Sequence, residues 1–174
     1  MDDKQALRQM VYARRAAVTA PDALTASLER ALGPLLEQAE RVASYLPHGS
    51  EPGIAPRPGW LLPVLREDDD LDWAVYDGTL APGRRGLQEP VGPRLGVEAV
   101  ATCDLVLVPA LLVDRHGNRL GKGGGSYDRA LARATGLTVA LLHDGELVDA
   151  VPVRPHDVRV GAAATPSLGL VTLL

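Results

Sequence analysis

The chain has 174 residues, enough for one domain whose core removes about two-thirds of the unfolded surface from water. Hydrophobic residues make up 46% and charged residues 23%, a globular mix that excludes a disordered or fibrous chain. The formal net charge is −4, which argues against a binder of nucleic-acid backbones, because such proteins carry a basic face.

Residues 3–18 read as a helix, with Asp2 or Asp3 as cap and Leu7, Met10 and Val11 at i, i+3, i+4 spacing. At 3.6 residues per turn Lys4, Arg8 and Arg15 fall within about 40° of one another, while Arg14 turns into the apolar sector beside Leu7 and Val18. The basic stripe is either a solvated face or one wall of an anion site, and Arg14 needs an anionic partner or must snorkel. A second helix is predicted over 22–40 from Leu24, Leu28, Leu32, Leu35, Leu36 and Ala39, with Pro34 marking a kink.

Beyond it, strands are predicted at 41–46, 60–65, 71–76, 105–109, 137–142, 158–164 and 170–173, separated by turn-rich stretches. The run LVLVP at 105–109 shows no alternation, as expected of a strand covered on both faces in a mostly parallel sheet. An α/β layered fold follows. The acidic run 67–70 reads as a solvated turn. Glycine and proline are spread over several loops rather than gathered in one linker, and no repeat is present, so a single domain over 1–174 is expected. Cys103 is the only cysteine, which excludes an internal disulfide and a multi-cysteine zinc site and predicts a buried, reduced thiol. The charged opening MDDKQALRQMVYARR is unlike a secretory leader, and no run approaches about 18 apolar residues, so a cytoplasmic protein without a membrane partner is expected.

The richest stretch is DLVLVPALLVDRHGNRLGKGGGSYDRALA, starting at Asp104. It reads strand, loop, glycine cluster, helix. Gly121, Gly123, Gly124 and Gly125 leave a backbone without side chains, so successive N–H groups can turn toward an anion, and the following helix points its positive end to the same place. Ser126 is the predicted N-cap, and Arg119 and Lys122 add cations. Two named loops fail: the P-loop pattern would need glycine at His116 and a hydroxyl at Gly123, and the dinucleotide pattern would need glycine at Ser126. The glycines alone equally fit a flexible turn. Two cations, a helix start and Asp128 one turn inside it are together what a metal-bound polyphosphate needs. Asp128 is then a magnesium ligand or a first-turn aspartate favouring the helix dipole, and Asp157 in RPHDVRV, at the start of a predicted strand, is the second carboxylate. His156 belongs to no metal-spacing motif and reads as an orienting or surface residue.

Taken together, RLGKGGGSYDRAL, the preceding LVPALLVDRHGN, the following PHDVRVGAAATP, the spacing of Lys4, Arg8 and Arg14, SYLPHGSE ending in Glu51, and GLQEP at 86–90 resemble the 5-formyltetrahydrofolate cyclo-ligase (methenyltetrahydrofolate synthetase) family over nearly the whole chain. The resemblance implies a three-layer α/β/α sandwich with a mostly parallel sheet, of the NagB/RpiA/CoA-transferase-like kind. It also implies an ATP- and Mg2+-dependent closure of 5-formyltetrahydrofolate, a reduced folate, to 5,10-methenyltetrahydrofolate, through a phosphorylated formyl oxygen, with release of ADP and phosphate. Carried over residue by residue, Lys4, Arg8, Arg14, Arg119, Leu120, Gly121, Lys122, Gly123, Gly124, Gly125, Ser126 and Tyr127 would contact ATP. Glu51, with Lys122, Gly123, Gly124, Gly125 and Ser126, would hold the folate. Arg119 and Lys122 would serve catalysis, and Asp128 and Asp157 would bind magnesium. A triphosphate under the first helix would also give Arg14 its anionic partner. A monomer or weak homodimer is expected.

The sequence departs from the family pattern at Ser126, where an aromatic is usual, at Val113 in place of a phenylalanine, and at the variable Lys122 position. After Glu51 the family has a helix, whereas here PGIAPRPG leads almost directly to WLLPVL; proline-rich sequence cannot form that helix, so one layer is expected to be thinner. Two other readings stay open: a non-catalytic nucleotide- or folate-binding relative with a remodelled folate site, and a sugar-phosphate isomerase or acyl-transfer enzyme on a similar fold.

Overall fold

The computed structural model describes residues 2–173. Helix α1 (Asp3–Ala16) begins where the Asp2 carboxylate accepts the Gln5 amide at 2.8 Å, satisfying one of the N–H groups that a helix start leaves open. Arg14 and Arg15 fall in its last turn, opposite the negative end of the helix dipole. Helix α2 (Pro21–Gln38) opens on a proline, whose missing N–H costs nothing there, and runs on past Pro34.

The remaining elements are strands β1 (Val42–Ala43), β2 (Leu61–Leu65), β3 (Leu71–Val75), β4 (Leu80–Pro82), β5 (Gln88–Pro90), β6 (Leu105–Pro109), β7 (Leu112–Asp114) and β8 (Arg119–Leu120), helix α3 (Ser126–Arg133), then β9 (Leu137–Leu141), β10 (Leu147–Val148), β11 (Ala162–Thr165) and β12 (Gly169–Thr172), with 3-10 turns at Arg84–Gly86 and Val97–Thr102. Seven strands form one sheet in the order β12-β11-β9-β6-β1-β2-β3. Its five inner strands are parallel, and both edges are antiparallel hairpins. All seven predicted strands belong to this sheet.

Alternate residues of the inner strands pack to opposite faces. Leu105, Leu107, Val139 and Leu141 meet Leu28, Leu32 and Leu36 of α2, whereas Val106, Val108 and Ala140 meet Ala99 and Val100 of the second 3-10 turn and Ala130 and Leu131 of α3. Both sets are buried, which is why LVLVP carries no alternation. Leu28 and Leu32 are fully enclosed, each contributing about 1.5–3 kcal/mol through the area removed from water. The three-layer sandwich is thus present. Residues 44–60, between the parallel strands β1 and β2, contain no helix; Tyr45, Ile54 and Trp60 cover that part of the sheet.

A second, three-stranded sheet, β10-β7-β8, follows directly from the carboxyl end of β6. Leu7 and Val11 of α1 pack on its Leu112, Leu120 and Val148. This sheet was not predicted, because strands of two or three residues are too short to show a period. Cys103 is buried and free, as expected. The acidic run 67–70 is a turn but not a wholly solvated one: Asp70 is buried and takes both Nη1 and Nη2 of Arg133 at 2.7 Å. Among the described residues, no helix is long and apolar enough to cross a membrane.

Candidate active site

The chain leaves β1 toward β2 on one side, while β6, β9 and β11 succeed one another on the other side. The strand order therefore reverses between β1 and β6, and in open α/β sheets the crevice beyond the carboxyl ends at such a point is where ligands bind. A cleft of about 910 Å³ lies there, lined by Tyr45 and Leu46 after β1 and by Pro109, Ala110 and Leu111 at the end of β6. Because α1 is docked on the small sheet just beyond β6, its Lys4, Arg8 and Arg15 form another wall, and the glycine loop from Gly121 to Gly125 forms a third.

Each cation is held differently. Lys4, buried on the cleft wall, donates to Asp157 Oδ2 at 2.5 Å, and Asp157 also accepts the Arg154 amide at 2.8 Å. Burial opposes ionisation of Asp157, but the Lys4 ammonium and that amide outweigh it and hold the carboxyl below its ordinary value. Arg8 donates Nε to the Gly121 carbonyl at 2.8 Å, so the first helix and the glycine loop touch directly. Arg119 donates Nη1 to the Pro109 carbonyl at 2.8 Å and lies 3.8 Å from Asp128. Its Nε is buried without a partner among the described residues, and burial lowers its pKa. Lys122, half exposed, reaches across the cleft to Glu51 at 3.0 Å; the other Glu51 oxygen accepts the His48 amide at 2.8 Å.

The loop's backbone requires its glycines. Gly123 and Gly125 have φ of 110° and 75°, a region that costs a residue with a Cβ about 1–2 kcal/mol. Gly125, not Ser126, is the N-cap of α3: Ser126 is the first helical residue, and no side chain caps the turn. The predicted hydroxyl cap is therefore corrected to a left-handed glycine, which leaves the first amides of α3 without side-chain partners. The Tyr127 hydroxyl is also buried without a partner among the described residues, and burial pushes its pKa up.

Two further predicted contacts are corrected. Arg14 is exposed and does not line the cleft. Arg15 turns inward instead, donating Nε and Nη2 to the two Glu146 oxygens at 2.9 Å and Nη2 to the Ala110 carbonyl at 2.7 Å. The helix phase, which groups Arg15 with Lys4 and Arg8, carried this signal; the family spacing pointed one residue away from it. Leu120 is fully buried in the α1 interface and gives its carbonyl to the Leu111 amide, so it alone of residues 119–127 does not line the cleft.

Asp128 lies in the first turn of α3, where one oxygen accepts the Val158 amide at 3.1 Å. Ligand atoms of Asp128, Asp157 and His156 lie within 4.8 Å of one another. The two carboxylates thus meet across 29 residues, and His156, read from sequence as an orienting or surface residue, is exposed beside them. Orphaned Arg119 Nε, an uncapped helix start and a carboxylate pair beside four cations make a donor set that fits a divalent cation and a polyphosphate.

The sequence profile of the 5-formyltetrahydrofolate cyclo-ligase family matches residues 1–166. A 5-formyltetrahydrofolate cyclo-ligase of Mycolicibacterium smegmatis is 43% identical over 148 residues, 76% of this chain and 76% of that protein. The Escherichia coli protein of the same name is 34% identical over 91 residues, about half of each chain. The NMR structure of Aquifex aeolicus 5,10-methenyltetrahydrofolate synthetase superposes with a TM-score of 0.78 at 24% identity, covering 98% of this chain and 92% of that one. A Mycoplasma pneumoniae 5,10-methenyltetrahydrofolate synthetase gives 0.73 at 19% identity, covering 93% and 98%. At these identities the two structures speak for the fold alone.

Proposed function

The chain belongs to the 5-formyltetrahydrofolate cyclo-ligase family, and on that premise we propose that it closes 5-formyltetrahydrofolate to 5,10-methenyltetrahydrofolate with ATP and Mg2+, releasing ADP and phosphate. The observation that carries the reading is the bond from Arg8 to the Gly121 carbonyl, since it joins the chain's opening cations and its glycine loop around one cleft that also holds Glu51.

ATP, when bound with its divalent ion, supplies the phosphoryl group that turns the formyl oxygen into a leaving group, so that the neighbouring folate amine can close the ring. The protein's own share is positioning and charge stabilisation. Lys4 and Arg8 on one wall and the loop amides on the other would hold the phosphates, with Arg119 beneath. Because Arg119 is fixed to the Pro109 carbonyl, its charge is pre-oriented and costs little reorganisation. Lys122 is the mobile cation, able to follow charge as it develops between nucleotide and folate. Glu51 would accept N–H groups of the folate, and a carboxylate already held by the His48 amide suits that task. Asp128 and Asp157 would ligate the metal, with His156 as a neighbouring donor.

The absence of a helix over 44–60 favours no remodelled, inactive relative, because the shortened segment still delivers Glu51 to the cleft. The proton-shuttling isomerase reading has no use for the cations of α1. A net charge of −4 supports a small-molecule substrate over nucleic acid. The test is direct: folded protein is incubated with ATP, Mg2+ and 5-formyltetrahydrofolate while the near-ultraviolet absorbance of the methenyl product is followed. Absence of product above background overturns the proposal.

A further inference from the structure

Behind the cleft, the turn between β9 and β10 carries a second polar cluster. Glu146, clamped by Arg15, also accepts the His143 amide at 2.9 Å. The His143 ring faces the other way: Nε2 lies 2.8 Å from the Ser50 carbonyl oxygen. A carbonyl only accepts, so Nε2 carries the proton and donates it. Nδ1 is buried with no partner, so the Ser50 bond is the ring's one hydrogen bond among the described residues.

Ser50 precedes Glu51 in a segment that has neither helix nor strand from 44 to 60. Without a ladder of backbone bonds, such a segment keeps its place through packing and side-chain ties. At the tip there are few: the Glu51 carboxylate takes the His48 amide and the half-exposed Lys122, Tyr45 donates its hydroxyl to the Pro52 carbonyl within the segment, and His143 ties the Ser50 backbone to the sheet side of the molecule. We infer that His143 is a positioning residue for substrate: through Ser50 it holds the Glu51 carboxylate at the place where a folate N–H group would meet it. Arg15 belongs to the same device. Its guanidinium fixes Glu146, which fixes the turn that presents His143, so this cation of the first helix serves the folate side of the cleft through structure rather than by touching a phosphate.

The inference rests on Glu51 as the folate acceptor, and the experiment separates the two. His143→Leu removes the donor while keeping bulk; the Michaelis constant for 5-formyltetrahydrofolate is expected to rise about five- to tenfold, the loss of one buried hydrogen bond, with that for ATP unchanged. His143→Gln, whose amide nitrogen reaches the place of Nε2, is expected to restore the folate constant to about twofold of wild type. His143→Asn, whose amide falls short of Ser50, repeats the loss with a polar side chain and covers the case in which leucine fails to fold. In a Glu51→Gln background, His143→Leu is expected to have no further effect on the folate constant. An unchanged folate constant in the leucine and asparagine variants, a parallel rise for ATP, or failure of glutamine to rescue overturns the role of His143 and leaves Glu51 standing. A wild-type folate constant in Glu51→Gln alone overturns the reading of Glu51 and this inference with it.

Discussion

Replacing Lys4 by alanine tests the cleft at a buried cation that is held by one carboxylate. Exposed ion pairs contribute about 0–1 kcal/mol, whereas removing one partner of a buried pair costs about 3–5 kcal/mol, because the other charge stays behind unpaired. The Lys4 and Asp157 side chains are 6% and 9% exposed, which sets the pair in the buried regime. Asp157 keeps the Arg154 amide, which favours the lower end, about 3 kcal/mol. For a domain of this size that lowers the melting temperature by about 6–12 °C. The pH dependence fixes the cause. A carboxyl whose folded pKa is depressed stabilises the protein fully above its unfolded value, about 3.9, and loses that contribution as pH falls through the folded value. The gap between wild type and Lys4→Ala is therefore widest near neutrality and narrows below about pH 4. The double variant Lys4→Met/Asp157→Asn recovers most of the loss, since asparagine leaves no charge unpaired and still accepts the Arg154 amide. Thermal melts from pH 3 to 7 read all of this; a single-variant melting temperature within about 2 °C of wild type at pH 7, less than 1 kcal/mol, refutes the reasoning.

Arg15→Ala strands Glu146, whose side chain is 5% exposed, and destabilises by about 3–5 kcal/mol in denaturant titrations; the exposed Arg14→Ala stays within about 0.5 kcal/mol of wild type with an unaltered ATP constant. Asp128→Ala loses most turnover and its response to Mg2+, yet costs folding only about 1–2 kcal/mol from the helix dipole and the Val158 amide bond together; an unfolded variant by circular dichroism would assign it a structural task instead. Gly125→Ala forces a Cβ into left-handed backbone at about 1–2 kcal/mol, and nucleotide binding by calorimetry weakens with it; wild-type affinity would remove this turn from the phosphate site.

Much of this arrangement was legible because the physics is local. The first helix announced its stripe through its period, the inner strands their burial on both faces through unbroken apolar runs, and PGIAPRPG its lack of a helix through proline. What failed was non-local or too small. Asp70 gave no sign of Arg133, 63 residues away. Strands of two and three residues carry no period. The cap of α3 went wrong because a hydroxyl competed with a glycine whose left-handed conformation only the fold demands. Arg14 and Arg15 mark the sharpest lesson: the angle around the helix favoured Arg15, and a one-residue preference borrowed from relatives displaced it.

The bonds that shape the cleft join residues far apart in the chain. Arg8 waits for a carbonyl 113 residues downstream, Arg15 for Glu146 after 131, and Lys4 for Asp157 after 153. Because a polypeptide is made from its amino end, α1 is synthesised before any of these partners. Each of these ties closes a loop of more than a hundred residues, so the cleft is expected to take shape late in folding, after the local elements have formed.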